Sequence, residues 1–368
     1  MREKKETFKN VFSKKRIVAV LILLVLTLVM MFSNPEFQKF LSRPDSVSVS
    51  FQPGMNYYSV NYGKEMLIVG KEGVRSIDNR GREVFSLVNN ITEPGVMVKN
   101  DFIMLADMGG NQSYLYKNDR LVSQIKTERE ILAAKLNKNG YIALSSSELG
   151  YKGVVSIFDK SGKELFKWHS GSGYIGDIDI SSKNELAAAQ LMTDKEKLYS
   201  KIMLVDISGK EEAKCIAEVD GVVLKLKYKN GGGLIAVTDE KVYAFKKNGK
   251  QQFVIDFDGK TPVECNIENE NNMVFAFDSG TNNTILESYS SRGKLRGRLE
   301  TDGEIKTFDV NGECILAVTI NGVYRFSPSG KQKGKIDAGQ DIKKIRIFAG
   351  RDEFLSLGSA SADIIKIK

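Results

Sequence analysis

The stretch VVSIFDKSGKELFKW (residues 154–168) reads as two β-strands joined by a tight turn that ends in Gly162 and Lys163. Glycine reaches positive φ without steric cost, and hairpin turns of this kind need it, so the turn chemistry itself predicts the hairpin. The pattern returns in VRSIDNRGREVFSL (74–87), SYLYKNDRLVSQI (113–125), IMLVDISGKEEAKCI (202–216), VYAFKKNGKQQFVI (242–255), ILESYSSRGKLRGRL (285–299) and VYRFSPSGKQKGKI (323–336). Only the 113–125 copy, with Asp119 and Arg120, lacks the glycine. The turns fall at 81, 119, 162, 209, 249, 293 and 330, between 37 and 47 residues apart.

Two further strand-like runs precede each hairpin, as IGDIDIS and LAAAQLM precede IMLVDI. Four strands in roughly 41 residues is the pitch of a β-propeller blade. The runs REILAAKL, NELAAAQLM and EEAKCIAEV favour helix by composition, and the register of the repeat makes them strands. After the turn at 330 the C-terminal runs DIKKIRIF, EFLSLG and ADIIKIK supply three strands, and VSVSF (47–51) supplies a fourth from the other end of the chain. The expectation is an all-β propeller of eight blades closed by its N-terminal strand, with seven blades as the alternative if one irregular copy is not a full blade.

The copies SIDNRGREVF and SIFDKSGKELF resemble the D-x-x-T-G-K-x-x-W repeat of pyrroloquinoline-quinone-type propellers, with Phe85 and Phe166 where that motif has tryptophan. The resemblance covers the hairpins. For the quinone dehydrogenases it implies a calcium-bound cofactor, a vicinal disulfide and a catalytic carboxylate, but this chain has no adjacent cysteines. The layout of basic tail, apolar run, linker and propeller is also similar to a family of bacterial membrane-anchored propeller proteins with no assigned function. The G-H…W-D signature of WD40 repeats is absent.

Residues 1–16 carry seven Lys/Arg against two acids, and the remainder carries 47 against 44, so most of the net charge of +8 belongs to the tail. A nucleic-acid binder would concentrate that charge on its folded domain, so nucleic acid is not an expected partner. No charge occurs from Ile17 to Pro35, and 19 helical residues span about 28 Å, close to a bilayer core. FSNPEF is a poor cleavage site, which favours an uncleaved anchor over a signal peptide. The expected organisation is a cytoplasmic tail (1–16), a transmembrane signal-anchor (17–35), a linker (36–46) and an extracytoplasmic propeller (47–368) at the plasma membrane. Cys215, Cys265 and Cys314 lie in apolar strand-like runs and read as buried thiols, with a Cys265–Cys314 disulfide as the alternative.

HSGSGYIGDID begins at the chain's one histidine, His169, after its one tryptophan, Trp168, and spells G-x-G-x-x-G. A dinucleotide loop needs a helix after those glycines, and Asp-Ile-Asp-Ile is a strand, so the run reads as a connector between blades. Trp168, His169 and Tyr174 are then candidates for contact on that face. No nucleophile context accompanies His169, the pairs Asp177/Asp179 and Asp256/Asp258 follow from strand alternation, and DFDGK (256–260) lacks the other ligands of a calcium loop. The chain reads as neither an enzyme nor a cofactor or metal binder.

Two functions are therefore expected. One is a non-catalytic scaffold whose partner is a protein or an anionic envelope polymer. The other is a small-ligand sensor using the axial channel, where Lys135, Lys225, Lys227, Lys306, Lys344 and Arg346 either favour anions or stand at strand ends in water. The basic turn residues Arg82, Arg120, Lys163, Lys210, Lys250, Lys294 and Lys331 share one face, the one at which strand 47–51 begins. They are expected to face the membrane unless Asp78, Glu83, Asp159, Glu164 and Glu211 neutralise them.

Overall fold

The computed structural model describes residues 46–50, 57–194, 197–269, 271–280, 282–336 and 341–367. Its strands form eight four-stranded sheets. Seven are sequential: Tyr58–Val88, Pro94–Lys126, Ile131–Ser170, Tyr174–Asp220, Val223–Asp256, Pro262–Glu300 and Ile305–Ile336 are blades 1 to 7. The eighth combines Lys344–Ile347, Glu353–Leu357 and Ser361–Lys366 with Ser46–Ser50, which takes the outermost position. The eight-bladed count and the closure are as the repeat predicts. The segments 1–16 and 17–35, and the linker up to residue 45, lie outside the described residues. Among the described residues no helix is long and apolar enough to cross a membrane.

Each blade packs its two faces against its neighbours, so the core is divided into eight clusters, one per blade interface. A middle strand faces two interfaces, which explains why Gly153–Phe158 and Thr284–Tyr289 are buried along their whole length. The helix-favouring run LAAAQLM is the second strand of blade 4, Leu186–Asp194. Ala187 and Ala189 pack towards blade 5 and Ala188 towards blade 3. Small side chains suit the close approach of sheets there, and tertiary packing overrides their helix propensity.

Five of the seven hairpin turns, those of blades 1, 3, 5, 6 and 7, have one geometry. In blade 3, Asp159 N–H donates to Lys163 O at 3.0 Å, Gly162 N–H donates to Asp159 O at 3.0 Å, and the strand register shifts at Ile157/Phe158. Gly162 has φ +84°, and six of the seven turns carry glycine at this point. This is a turn with a left-handed residue at a bulge, which adds local twist. The blade 2 turn is a shorter loop of Asn118 and Asp119, with Asn118 at φ +55°, a residue type well able to take that conformation.

These turns also staple the ring. The Gly209 turn lies on the Phe166 ring of blade 3, and the Gly249 turn lies on Ile216 of blade 4. A Cβ added to Gly293 would overlap the Phe253 ring of blade 5, and Gly297 and Gly330 meet backbone to backbone. The Gly81 turn closes the series on Val47 and Val49 of the N-terminal strand, whose side chains join the cluster between blades 8 and 1. The tryptophan layer that the sequence lacks is thus replaced by phenylalanine, aliphatic and glycine contacts at the same places.

Candidate functional site

Successive strands run in opposite directions, so the ring has two faces. The turn face carries the first-to-second and third-to-fourth strand turns, and the N-terminal strand starts there. The connector face carries the second-to-third strand turns and the links between blades. Described segments between strands hold sixteen Lys/Arg and eleven Asp/Glu on the turn face, against five and eleven on the connector face.

All seven predicted turn residues are on the turn face and all are exposed. They form a ring and do not converge on one point. Arg82 is paired with Asp78, at 2.7 Å. The other nearby acids are engaged elsewhere. Asp159 accepts from the Ser161 hydroxyl and the turn N–H groups, and Asp206 does the same with Ser208. These bonds hold both carboxyls below the usual range. Glu83 pairs with Arg75 at 3.2 Å. Most of the ring's cations are therefore free of direct neutralisation by these acids.

On the connector face, Trp168 and His169 belong to the outermost strand of blade 3, Glu164–Ser170, where they pair with Val155 and Val154. The expected long connector is only Gly171–Gly173. Trp168 packs against the core between blades 3 and 4. His169 Nε2 lies 3.2 Å from Glu148 Oε1, and its ring is 4.3 Å from that of Tyr151. Tyr174 opens the innermost strand of blade 4 and is 59% exposed, with the Lys152 ammonium 4.8 Å above its ring. The glycines have packing reasons: a Cβ on Gly173 would overlap Met192, and one on Gly176, which sits at a bulge, would lie 3.2 Å from Val223 O.

Sequence reasoning missed the neighbours of this cluster. Leu149 is 91% exposed beside Tyr151 in the same turn, and Leu132, Leu224 and Val263 are exposed at bulges in the innermost strands of blades 3, 5 and 6. Val88, Leu198 and Ile320 also lie at the connector face. Between strands no described turn-face segment carries an exposed large apolar side chain, but Val84, Leu121, Leu165 and Leu295 are exposed in the first two residues of the outermost strands, which start at that face.

The axial channel is a cavity of about 630 Å³ lined by residues from all eight blades. Lys135, Lys225, Lys227 and Arg346 line it, whereas Lys306 and Lys344 do not. Lys135 pairs with Asp177 at 3.0 Å, and Arg346 with Asp309 at 2.7 Å. The paired carboxylates turn out to be links between blades. Asp177 accepts from Leu226 N–H at 2.8 Å and Asp179 from Tyr228 N–H at 2.6 Å, while Asp309 accepts from Ile347 N–H at 2.7 Å. Burial raises the Asp179 and Asp309 carboxyls despite these bonds and the nearby cations. Among the described residues no group of His, Cys, Asp and Glu is arranged to hold a metal ion.

The cysteines correct the expectation of buried thiols and of a disulfide alternative. All three are free, Cys215 is exposed on an outermost strand, and Cys265 and Cys314 are half-buried. Alternation along that strand turns the Cys215 side chain outward.

Residues 45–367 match the model of a family of unknown function, DUF5711. The chain belongs to this family. No curated protein matches this DUF5711 chain. Its fold is similar to that of the computationally designed protein Ika8, with 11% identity, TM-score 0.64, and coverage of 86% of this chain and 98% of the other. It is also similar to BamB from Moraxella catarrhalis, with 10% identity, TM-score 0.54, and coverage of 86% and 100%. A third likeness is to the quinohemoprotein alcohol dehydrogenase ADHIIG from Pseudomonas putida HK5, with 10% identity, TM-score 0.54, and coverage of 87% and 75%. At these identities the likeness establishes the eight-bladed fold and not an activity.

Proposed function

We propose that this DUF5711 chain is a non-catalytic interaction module, anchored in the plasma membrane by residues 17–35 with its propeller outside, whose two faces serve different partners. The basic turn face meets an anionic surface, either lipid headgroups or an envelope polymer. The connector face docks a protein around Trp168, His169 and Tyr174. The observation that carries this reading is the excess of basic charge on the turn face, set against the exposed Leu149, Tyr151 and Tyr174 grouped near His169 on the connector face. Exposed apolar groups that cluster on one face mark interaction surfaces more than scattered ones do.

The test is a photo-crosslinking residue placed at Leu149 or at Lys331 in cells, with and without the changes Tyr151→Ser and Tyr174→Ser. The module predicts a discrete protein adduct from position 149 that those changes abolish without lowering thermal stability. Equal adducts from both faces, or an adduct from 149 that survives the changes, contradicts it.

A further inference from the structure

The channel cations are not all balanced. Lys225 and Lys227 share one carboxylate, Glu268, at 3.8 and 3.0 Å. Lys227 also donates to the carbonyls of Ile267 and Glu268, both at 2.9 Å, so it is fixed in place. Lys99, the last residue of the innermost strand of blade 2, lines the same cavity, and its ammonium makes no hydrogen bond or ion pair among the described residues. Asp179 and Asp309 are committed to backbone N–H groups of neighbouring blades. Glu268 is left as the carboxylate facing three lysines. Burial opposes its ionisation, but Lys227, Lys225 and Lys99 outweigh that and bring its carboxyl down to about 2. A side recess of about 180 Å³ shares Lys99, Lys227 and Glu268 and adds Lys138 and Lys229.

The neutral groups at this mouth are amides, among them Asn230, Asn269 and Asn311. No aromatic side chain is among those lining the cavity, so it offers no stacking platform for a flat ring. Its volume is that of a small-molecule site. We propose that the turn-face mouth of the channel binds a small multivalent oxyanion, one with two or more carboxylate or phosphate groups, held by Lys99 and Lys225. Lys227, whose three N–H groups are engaged, adds its charge. Fixed cations within a low-dielectric ring focus the field on such a ligand more strongly than the exposed turn lysines do. This site opens on the turn face but uses none of the seven turn residues, so it stands or falls without the docking surfaces.

The probes are citrate and pyrophosphate, titrated calorimetrically into the full chain in detergent, with sodium chloride at matched ionic strength as control. Saturable binding of one or both is expected, and the pair tells carboxylate from phosphate preference. Lys99→Gln should weaken binding at least tenfold while leaving the unliganded melting temperature unchanged, because Lys99 holds nothing in place. Glu268→Gln should tighten binding about threefold or more by removing the competing carboxylate. Changing the seven turn residues to Ser should leave this binding intact, which separates it from attraction to the turn face. Binding no stronger than the chloride control, an unaltered affinity in Lys99→Gln, or loss on changing the turn ring overturns the proposal.

Discussion

The two faces of this propeller are made by the same thirty-two strands, yet one is regular and the other is not. On the turn face, six turn glycines have φ between +69° and +84°, five of their turns repeat one hairpin geometry, and the turns dock on the preceding blade. On the connector face the fully described links range from the two residues Gly221–Val222 to the five of Asn89–Glu93 and of Phe257–Thr261. The second-to-third strand turn of blade 3 is six residues long, and the blade 4 strands Leu186–Asp194 and Lys197–Val205 reach two to three residue pairs beyond the strands that flank them. Regularity belongs to the face that holds the ring together. Variation, together with the exposed Leu149, Tyr151 and Tyr174, belongs to the face that is free of that duty.

Both faces exist only while the ring is closed, so the largest effect should follow from removing the N-terminal strand. A chain beginning at Pro53 loses the strand that covers blade 8 and the Val47 and Val49 contacts with the Gly81 turn. Compared with a chain beginning at Arg43, it should aggregate or melt at least about 10 °C lower, a loss of several kcal/mol for a domain of this size. Equal melting temperatures in a thermal scan would break the closure.

Single glycines should distinguish the faces next. Gly293→Ala puts a methyl group into the Phe253 ring at a residue with φ +74°, and should cost about 3 kcal/mol from strain and overpacking together. Gly209→Ala has φ +69°, but its nearest neighbour is 3.6 Å away, so backbone strain of about 1 kcal/mol should be its whole cost. Gly171→Ala on the connector face meets nothing within 4 Å and has no positive φ, so it should be neutral. Denaturant midpoints of the three proteins check this order, and a costly Gly171→Ala would blur the comparison.

A smaller effect concerns acid. Glu268 has an ordinary value of 4.5 and is held at about 2 in the fold. A lowered carboxyl contributes stability above its unfolded value and loses it as pH falls through the folded one. That contribution should therefore disappear between about pH 4.5 and 2, and Glu268→Gln should flatten the stability curve in that window. Asp309 acts in the opposite sense, because its raised carboxyl takes up a proton more readily folded than unfolded. Stability profiles of the two neutral variants should thus differ in slope.

The regular face is also the one that could be read from residues alone. Each turn glycine answers a local backbone requirement, so the hairpins, blade count and closure are local facts repeated at intervals. Leu186–Asp194 shows the limit: its alanines look helical until the repeat assigns them, and only the neighbouring blades explain why alanine is there. The candidate site was less legible. His169 and Ser170 prolong the strand past Trp168 where the glycine spelling suggested a connector, and the exposure of Leu132, Leu224 and Val263 comes from bulges that leave no residue signature. The channel depends on pairs such as Asp177 with Leu226 N–H, 49 residues apart, so no local pattern marks which lysines are balanced and which, like Lys99, are not.

The most direct test of two faces with two partners is cosedimentation of residues 43–368 with anionic and neutral vesicles at low and high salt. Three proteins are compared: the native sequence, one with the seven turn residues changed to Ser, and one with Leu149, Tyr151 and Tyr174 changed to Ser. Each basic residue near an anionic surface contributes roughly 1 kcal/mol, screened over a Debye length of about 10 Å at 0.1 M salt. The native and connector-face proteins should bind anionic vesicles at low salt and release them at high salt, while the turn-face variant should not bind. Equal binding to both vesicle types, or undiminished binding by the turn-face variant, would contradict the division between the faces.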